Sequence, residues 1–345
     1  MPESVLEQAK KDLMNYGGCG MSVMEMTHRG KYFQDIFDNA KELFKNLLKV
    51  PDSHEILFLQ GGATLQFAQI PMNLLCGGSA DYAVTGNFSN KAAKEAKKYG
   101  SVSIAYTSEE TGHDRIPSQA ELKLSADAKY FYYCANNTIY GTEWQYVPQT
   151  GAPLVCDMSS DIMTREINVP DFGIIYAGAQ KNMAPAGLTV VIVKKELAGN
   201  EMPCTPETMS YANMIKADSM LNTPPCWCIY MLSLMLEWVK EKGGVKAMDE
   251  LKRQRSELIY SVLDNSSFYI PHAQKASRSF MNITFRTPNP ELDTEFIREA
   301  EKRGLVNLKG HKITGGLRAS LYNAMPLEGA LELSNFMKEF EIRHV

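Results

Sequence analysis

Between about residues 53 and 195, short apolar runs alternate with helical patterns. The runs HEILFLQ, DYAVTG, VSIAYT, KYFYYCAN, PLVCDMSS, FGIIYAGAQK and LTVVIVKK read as buried strands, because nearly continuous apolar stretches suit a sheet covered on both faces. Between them, ATLQFAQIPMNLL and SNKAAKEAKKYG place apolar residues at helical spacing. This rhythm predicts an α/β fold with a mostly parallel central sheet flanked by helices.

Downstream of the helical stretch CIYMLSLMLEWVKEKGG, the pair Gly243-Gly244 ends one unit, and the amphipathic MDELKRQRSELIYSVLDNS opens another. The expected division is a large domain over residues 1–245 and a small α+β domain over 246–345. In the second, MNITFRT and LRASLY read as strands, ELDTEFIREAEKRG and EGALELSNFMKEFEIRH as helices.

Composition narrows the function. At 345 residues and 44% apolar content, the chain can bury the core of two domains. Its net charge is −4, with Lys and Arg spread along the chain, which argues against a nucleic-acid partner. The longest apolar run, around 186–193, is far shorter than the roughly 20 residues a membrane helix needs. The start, MPESVLEQAKKDLMNY, lacks the unbroken apolar stretch of an export signal, so a cytoplasmic location is expected. Seven cysteines, an odd number without CxxC spacing, read as reduced thiols, and with no HExxH motif a metal is not expected. No GxGxxG, Walker or GxSxG sequence suggests a dinucleotide site, an ATP site or a serine hydrolase.

Strand ends on such sheets are where small ligands sit, and here they carry Gly61-Gly62, Thr85-Gly86, Asn136-Asn137-Thr138, Asp157 and Gln180-Lys181. Asp157 and Lys181 each follow an apolar run. A neutral lysine amine among small residues can condense with an aldehyde, and an aspartate can hold a ring nitrogen protonated. By pattern alone an equally good reading makes Asp157 a cap for the following Ser159-Ser160 stretch and Lys181 a loop lysine reaching solvent.

Longer segments decide between these. SVMEMTHRG, YAGAQKNMAPAGLTVVIV, NTPP and GLRASLYNAMPLEG resemble the signature segments of the phosphoserine aminotransferase family, spread over nearly the whole chain. The resemblance implies a homodimeric fold-type I enzyme that uses pyridoxal 5'-phosphate. It implies that Lys181 is the lysine condensing with the cofactor, that Asp157 pairs with its ring nitrogen, and that Gln180 contacts its phosphate. It further assigns Ala63 and Thr64 to the phosphate cup, Phe88 to the ring face (usually tryptophan in the family), Thr138 to the ring hydroxyl, and Asn222 and Thr223 to the phosphate of the opposite subunit. For the substrate it implies His28, Arg29, His311 and Lys312 around a phosphate, and Arg318 on an α-carboxylate. The implied reaction exchanges the amino group of L-glutamate for the keto group of 3-phosphohydroxypyruvate in serine biosynthesis. A phosphorylated hydroxythreonine of pyridoxine biosynthesis is a second family substrate. Three departures stand out: Thr64 occupies a position where some members have a basic residue, Lys312 replaces a common arginine, and the sequence begins beyond the usual Phe-Ser-x-Gly-Pro-like segment. A fold-type I enzyme for a small uncharged amino acid, or a non-catalytic scaffold, are the alternatives. The cations His28, Arg29 and His311 argue against the first, and the Asp157 and Lys181 pair against the second.

Overall fold

The computed structural model describes residues 1–345. Its large sheet is built from β1 (His54–Leu59), β2 (Ser79–Val84), β3 (Ser101–Thr107), β4 (Ala128–Cys134), β7 (Leu154–Asp157), β8 (Phe172–Gly178) and β9 (Thr189–Lys194), in the order β1-β9-β8-β7-β4-β2-β3. Only β9 runs against its neighbours, pairing antiparallel with β1 and β8. A two-residue ribbon, β5 (Asn136–Asn137) with β6 (Thr142–Glu143), projects from the exit of β4.

Both faces of this sheet are covered, which is why its strands read as continuous apolar runs. On one face α2 (Lys31–Leu48) and α6 (Cys226–Glu241) pack together, with α1 (Glu3–Asn15) against α6. In α2, Phe33, Ile36, Phe37, Ala40 and Phe44 recur at three- and four-residue spacing and are all buried. They meet Ile56, Phe58, Phe131, Ile175 and Ile192 of the sheet. On the other face α3 (Gly62–Leu74), α4 (Asn87–Ala96) and α5 (Tyr211–Lys216) cover the alternate residues of the same strands, among them Leu57, Tyr82, Tyr132 and Tyr176.

The tyrosines of that face need partners for their hydroxyls, since a buried hydroxyl without one costs roughly 1–3 kcal/mol. They use each other: Tyr82 and Tyr130 hydroxyls lie 2.6 Å apart, Tyr132 and Tyr176 2.7 Å apart, and Tyr211 donates to Gln66 Oε1 at 2.6 Å.

From α6 the chain enters α7 (Gly244–Asn265), whose Val245 packs in the first layer while Ile259, Val262 and Leu263 pack elsewhere. That second core lies between α7, α8 (Pro290–Lys302), α9 (Leu327–His344) and a sheet in the order β10-β11-β12, formed by Ile270–Pro271, Asn282–Arg286 and Leu317–Ser320. Its centre is aromatic, with Phe285, Phe296, Phe336 and Phe340 edge to face or tilted within about 6 Å.

Buried amides tie the two parts. Asn136 Nδ2 donates to Ser160 Oγ at 2.8 Å and to Asn282 Oδ1 at 2.9 Å, while Asn282 Nδ2 reaches Ser320 Oγ at 3.0 Å. Gly141, at φ +74°, permits the approach: a Cβ there would stand 2.5 Å from Thr284 Oγ1 and 2.9 Å from Asn282 O.

Tyr132→Phe is expected to cost about 1–3 kcal/mol by stranding the Tyr176 hydroxyl. The Tyr132→Phe/Tyr176→Phe double variant should lose clearly less than the sum of the two single variants in urea denaturation; strict additivity would show that the hydroxyls do not depend on each other.

Candidate active site

β1, β2, β4, β7 and β8 point the same way and bring their C-terminal ends to one edge of the sheet. Asp157 is the last residue of β7 and is only 5% exposed. Its Oδ1 accepts from Ser159 N at 2.9 Å, and Ser159 Oγ accepts from Gly178 N at 3.0 Å, so one short turn joins the exits of β7 and β8. The capping role is thus met by a turn; no α-helix starts there.

Asp157 forms no ion pair within the chain, and a buried carboxylate without a cation is costly. Burial first, and the Asp157 charge second, push the Tyr132 and Tyr176 hydroxyls and the Cys134 thiol well above their ordinary values.

Lys181 lies just beyond β8, half-buried, and its amine makes no hydrogen bond or ion pair. Instead Nζ sits 5.8 Å from the centroid of the half-buried Phe88 ring on the first turn of α4. β7 and β8 are parallel neighbours with Asp157 opposite Tyr176, so Asp157 and Lys181 leave the sheet from adjacent strand ends. The neighbouring Gln180 is exposed. Asn182 is 4% exposed and fastens the lysine turn: its Nδ2 donates to Ser160 O and Ile162 O, both at 3.2 Å, and its Oδ1 accepts from Asn323 N at 3.1 Å.

At the exit of β1, Gly61 adopts φ +92°, and a Cβ there would meet Leu65 Cδ2 at 2.3 Å. This glycine turns the chain into α3, whose first turn has no side-chain cap. The backbone N–H groups around Ala63 and Thr64 are therefore left for an anion or water, with the helix dipole behind them.

The small sheet contributes Arg318, from β12. Its Nη1 donates to Thr138 O at 3.0 Å, and its buried Nε has no partner. Thr138 itself is 7% exposed. His311 and the exposed Lys312 lie on the loop leading into β12. Burial, with Arg318, Lys312 and Lys91 adding to it, pulls His311 below the ordinary histidine value.

Lys181, Asp157, Phe88, Thr138, Arg318 and His311 are thus gathered by one chain. Other expected residues are not. Asn222 and Thr223 are exposed beside the entrance of α3, where Gln60 Nε2 donates to Thr223 O at 2.6 Å. His28 and Arg29 occupy the turn before α2, and neither side chain makes a hydrogen bond or ion pair with the rest of the chain.

Asn182 and Asn323 escape sequence reading, and Asn136 and Ser159, though noted after their strands, give no sign there of the partners they find, since these contacts span 19 to 146 residues of sequence. The one available signal is Asn182, a polar residue directly after the lysine. An uncapped helix end, an aromatic face, an amine without a partner and a buried carboxylate without a cation together suit pyridoxal phosphate, which brings a phosphate, a flat ring, an aldehyde and a basic ring nitrogen.

The chain matches the model of the family described as Aminotransferase class-V over residues 1–333. It is 48% identical to the phosphoserine aminotransferase of Geobacillus kaustophilus, covering 99% of this chain and 96% of that protein. To that of Nitrosomonas europaea it is 47% identical, covering 100% and 96%. The phosphoserine aminotransferase structure from Bacillus circulans subsp. alkalophilus superposes with a TM-score of 0.98 at 41% identity, covering 100% of this chain and 96% of that one. The pyridoxal-phosphate-bound enzyme of Trichomonas vaginalis gives 0.94 at 38%, covering 98% and 97%. With a match of this extent, and a sheet edge that presents a lysine and a buried aspartate together, the chain belongs to the phosphoserine aminotransferase family of the class-V aminotransferases.

Proposed function

We propose that the protein is a pyridoxal-phosphate-dependent transaminase that exchanges the amino group of L-glutamate with 3-phosphohydroxypyruvate, reversibly, giving 2-oxoglutarate and O-phospho-L-serine. The observation that carries this reading is the buried Asp157, without a cation of its own, beside the partnerless amine of Lys181. The family match adds the substrate class.

When bound, the cofactor supplies an aldehyde that condenses with amines and a protonated ring that draws electrons away from the substrate Cα. Lys181 Nζ holds it and, once displaced by the incoming amine, takes the Cα proton as a neutral base and later returns it. The Asp157 carboxylate keeps the proton on the ring nitrogen, because loss of that proton would leave a buried negative charge unpaired. Phe88 supports the ring face, with the area of a benzene ring and no N–H. Ala63 and Thr64 offer backbone donors to the phosphate, and Gln180 is placed beside them in function. Thr138 orients the ring's oxygen substituent.

For the substrate, the planar Arg318 guanidinium, already steadied by Thr138 O, has donors left to grip an α-carboxylate in two places. His311 and Lys312 approach the phosphate. His28, Arg29, Asn222 and Thr223 reach the site when a second copy docks, so the working form is a homodimer with a site at the subunit interface. We place the working enzyme in the cytoplasm, with residues 1–245 holding the cofactor and 246–345 closing on the substrate. A second acceptor of the same chemistry is the phosphorylated hydroxythreonine precursor of pyridoxine.

Lys181→Ala should abolish turnover in a coupled phosphoserine assay while the thermal melting curve and circular dichroism stay those of the folded protein; substantial residual transamination would sink the assignment. A lowered His311 is mostly neutral at pH 7, and a phosphate dianion favours its protonated form. The KM for O-phospho-L-serine should therefore fall as pH drops from 8 to about 6.5, before the phosphate itself protonates near about 6. In His311→Gln that fall should be absent, whereas an unchanged profile would remove His311 from the phosphate site.

A further inference from the structure

Lys91, on the second turn of α4, stands apart from the other surface lysines. Its natural helical partner is Glu95, one turn on, but the Glu95 carboxylate is held by Lys98 at 2.7 Å. Lys91 forms no ion pair with any other acid. Its Nζ lies 6.0 Å from the Phe88 centroid, the same ring that carries the Lys181 amine at 5.8 Å. Two like charges around one ring repel, and neither amine has an ion-pair partner in the chain.

Two further relations point the same way. Lys91 and Lys94, with the Lys98-paired Glu95, line a surface cavity of about 530 Å³ that runs to Gly61 and Thr64 at the uncapped start of α3. In the opposite direction, Lys91 adds to the cationic field on His311 together with Arg318 and Lys312. It therefore links the helical phosphate cradle of the large sheet to the cationic loop of the small one. With the one carboxylate of that cavity, Glu95, engaged by Lys98, the charges of Lys91 and its cationic neighbours are left for an anionic ligand. Because His311 is mostly neutral at pH 7, the fixed charges have to come from the lysines and Arg318.

We infer that Lys91 is a specificity-determining residue of the active site, binding a phosphate monoester dianion between α4, the start of α3 and the His311 loop. The dianion is that of the phosphorylated substrate, and this rests on the transaminase reading above. A carboxylate-only substrate such as glutamate gains nothing from Lys91, so the residue raises selectivity for phosphorylated acceptors. An exposed lysine without partners adds little to the fold, and its loss leaves the core unaltered.

The test compares purified holoenzyme with Lys91→Gln and Lys91→Arg. In Lys91→Gln the KM for O-phospho-L-serine is expected to rise about tenfold, the usual size of one charge-assisted hydrogen bond to an anion, with the glutamate KM and the melting temperature unchanged. Lys91→Arg, which keeps the charge, should stay close to wild type. Calorimetric titration with inorganic phosphate gives a readout that needs no turnover, and Lys91→Gln should weaken it by a similar factor. If fluorescence titration instead shows the apoprotein losing affinity for pyridoxal phosphate, with the phosphoserine KM preserved, the bound dianion is the cofactor's, Lys91 has no part in substrate choice, and the assignment is overturned. Equal weakening of glutamate, or no change for any phosphate-bearing ligand, overturns it. Should the wild-type protein transaminate neither substrate, the functional reading falls, while the phosphate titration still decides the role of Lys91.

Discussion

A carboxylate nearly sealed from water, with no ion-pair partner in the chain, is the constraint around which this molecule is arranged. Asp157 sits at the end of a strand buried on both faces, and its charge is tolerable only because a turn donates one backbone N–H and because a cationic group is meant to arrive. The tyrosines and the thiol nearby are held neutral by burial, so they provide shape without adding charge. The fold accepts a cost at this point that an apolar residue would avoid, which is how functional sites generally differ from the rest of a core.

The same turn transmits that placement outward. Ser159 links β7 to β8, and Asn182 links the lysine turn both to the segment after Asp157 and to Asn323 in the second core. Asn136 and Asn282 form a parallel tie, and Arg318 reaches back to Thr138. The bonds from Asn182 to Asn323, from Asn136 to Asn282 and from Arg318 to Thr138 join groups 141, 146 and 180 residues apart, so these three form together with the docking of the two parts. Movement of one part on the other has to break or stretch these bonds, which limits how far the small sheet can swing without releasing the lysine turn.

Electrostatics work on a different scale. The chain is acidic overall, yet Lys91 and Lys181 stand 6.0 and 5.8 Å from the one Phe88 ring without an ion-pair partner. A local positive field on a negative molecule draws in anionic substrates and repels cationic ones without specific contact. Specificity then follows from geometry: a planar guanidinium for a carboxylate, and compact ammonium groups with backbone N–H donors for a phosphate.

Much of this was legible in the sequence. Continuous apolar runs between helical patterns determine a sheet covered on both sides, and the residues after each run determine where the chemistry lies, because strand ends are where such sheets bind ligands. Asp157, Lys181 and the Gly61-Gly62 turn could all be picked out in this way, and the signature segments named the family. The tertiary structure decided what depends on distance across the chain. It alone shows that β9 runs against the sheet, that Arg318 rests on Thr138, that Asn182 and Asn323 clasp the lysine turn, and that Lys91 faces the same ring as Lys181. A hydrophobic period records which face of an element is buried, but hydrogen bonds between buried amides and the meeting of charges from separate helices leave no period to read, since they arise only when the packed elements fix both partners in space.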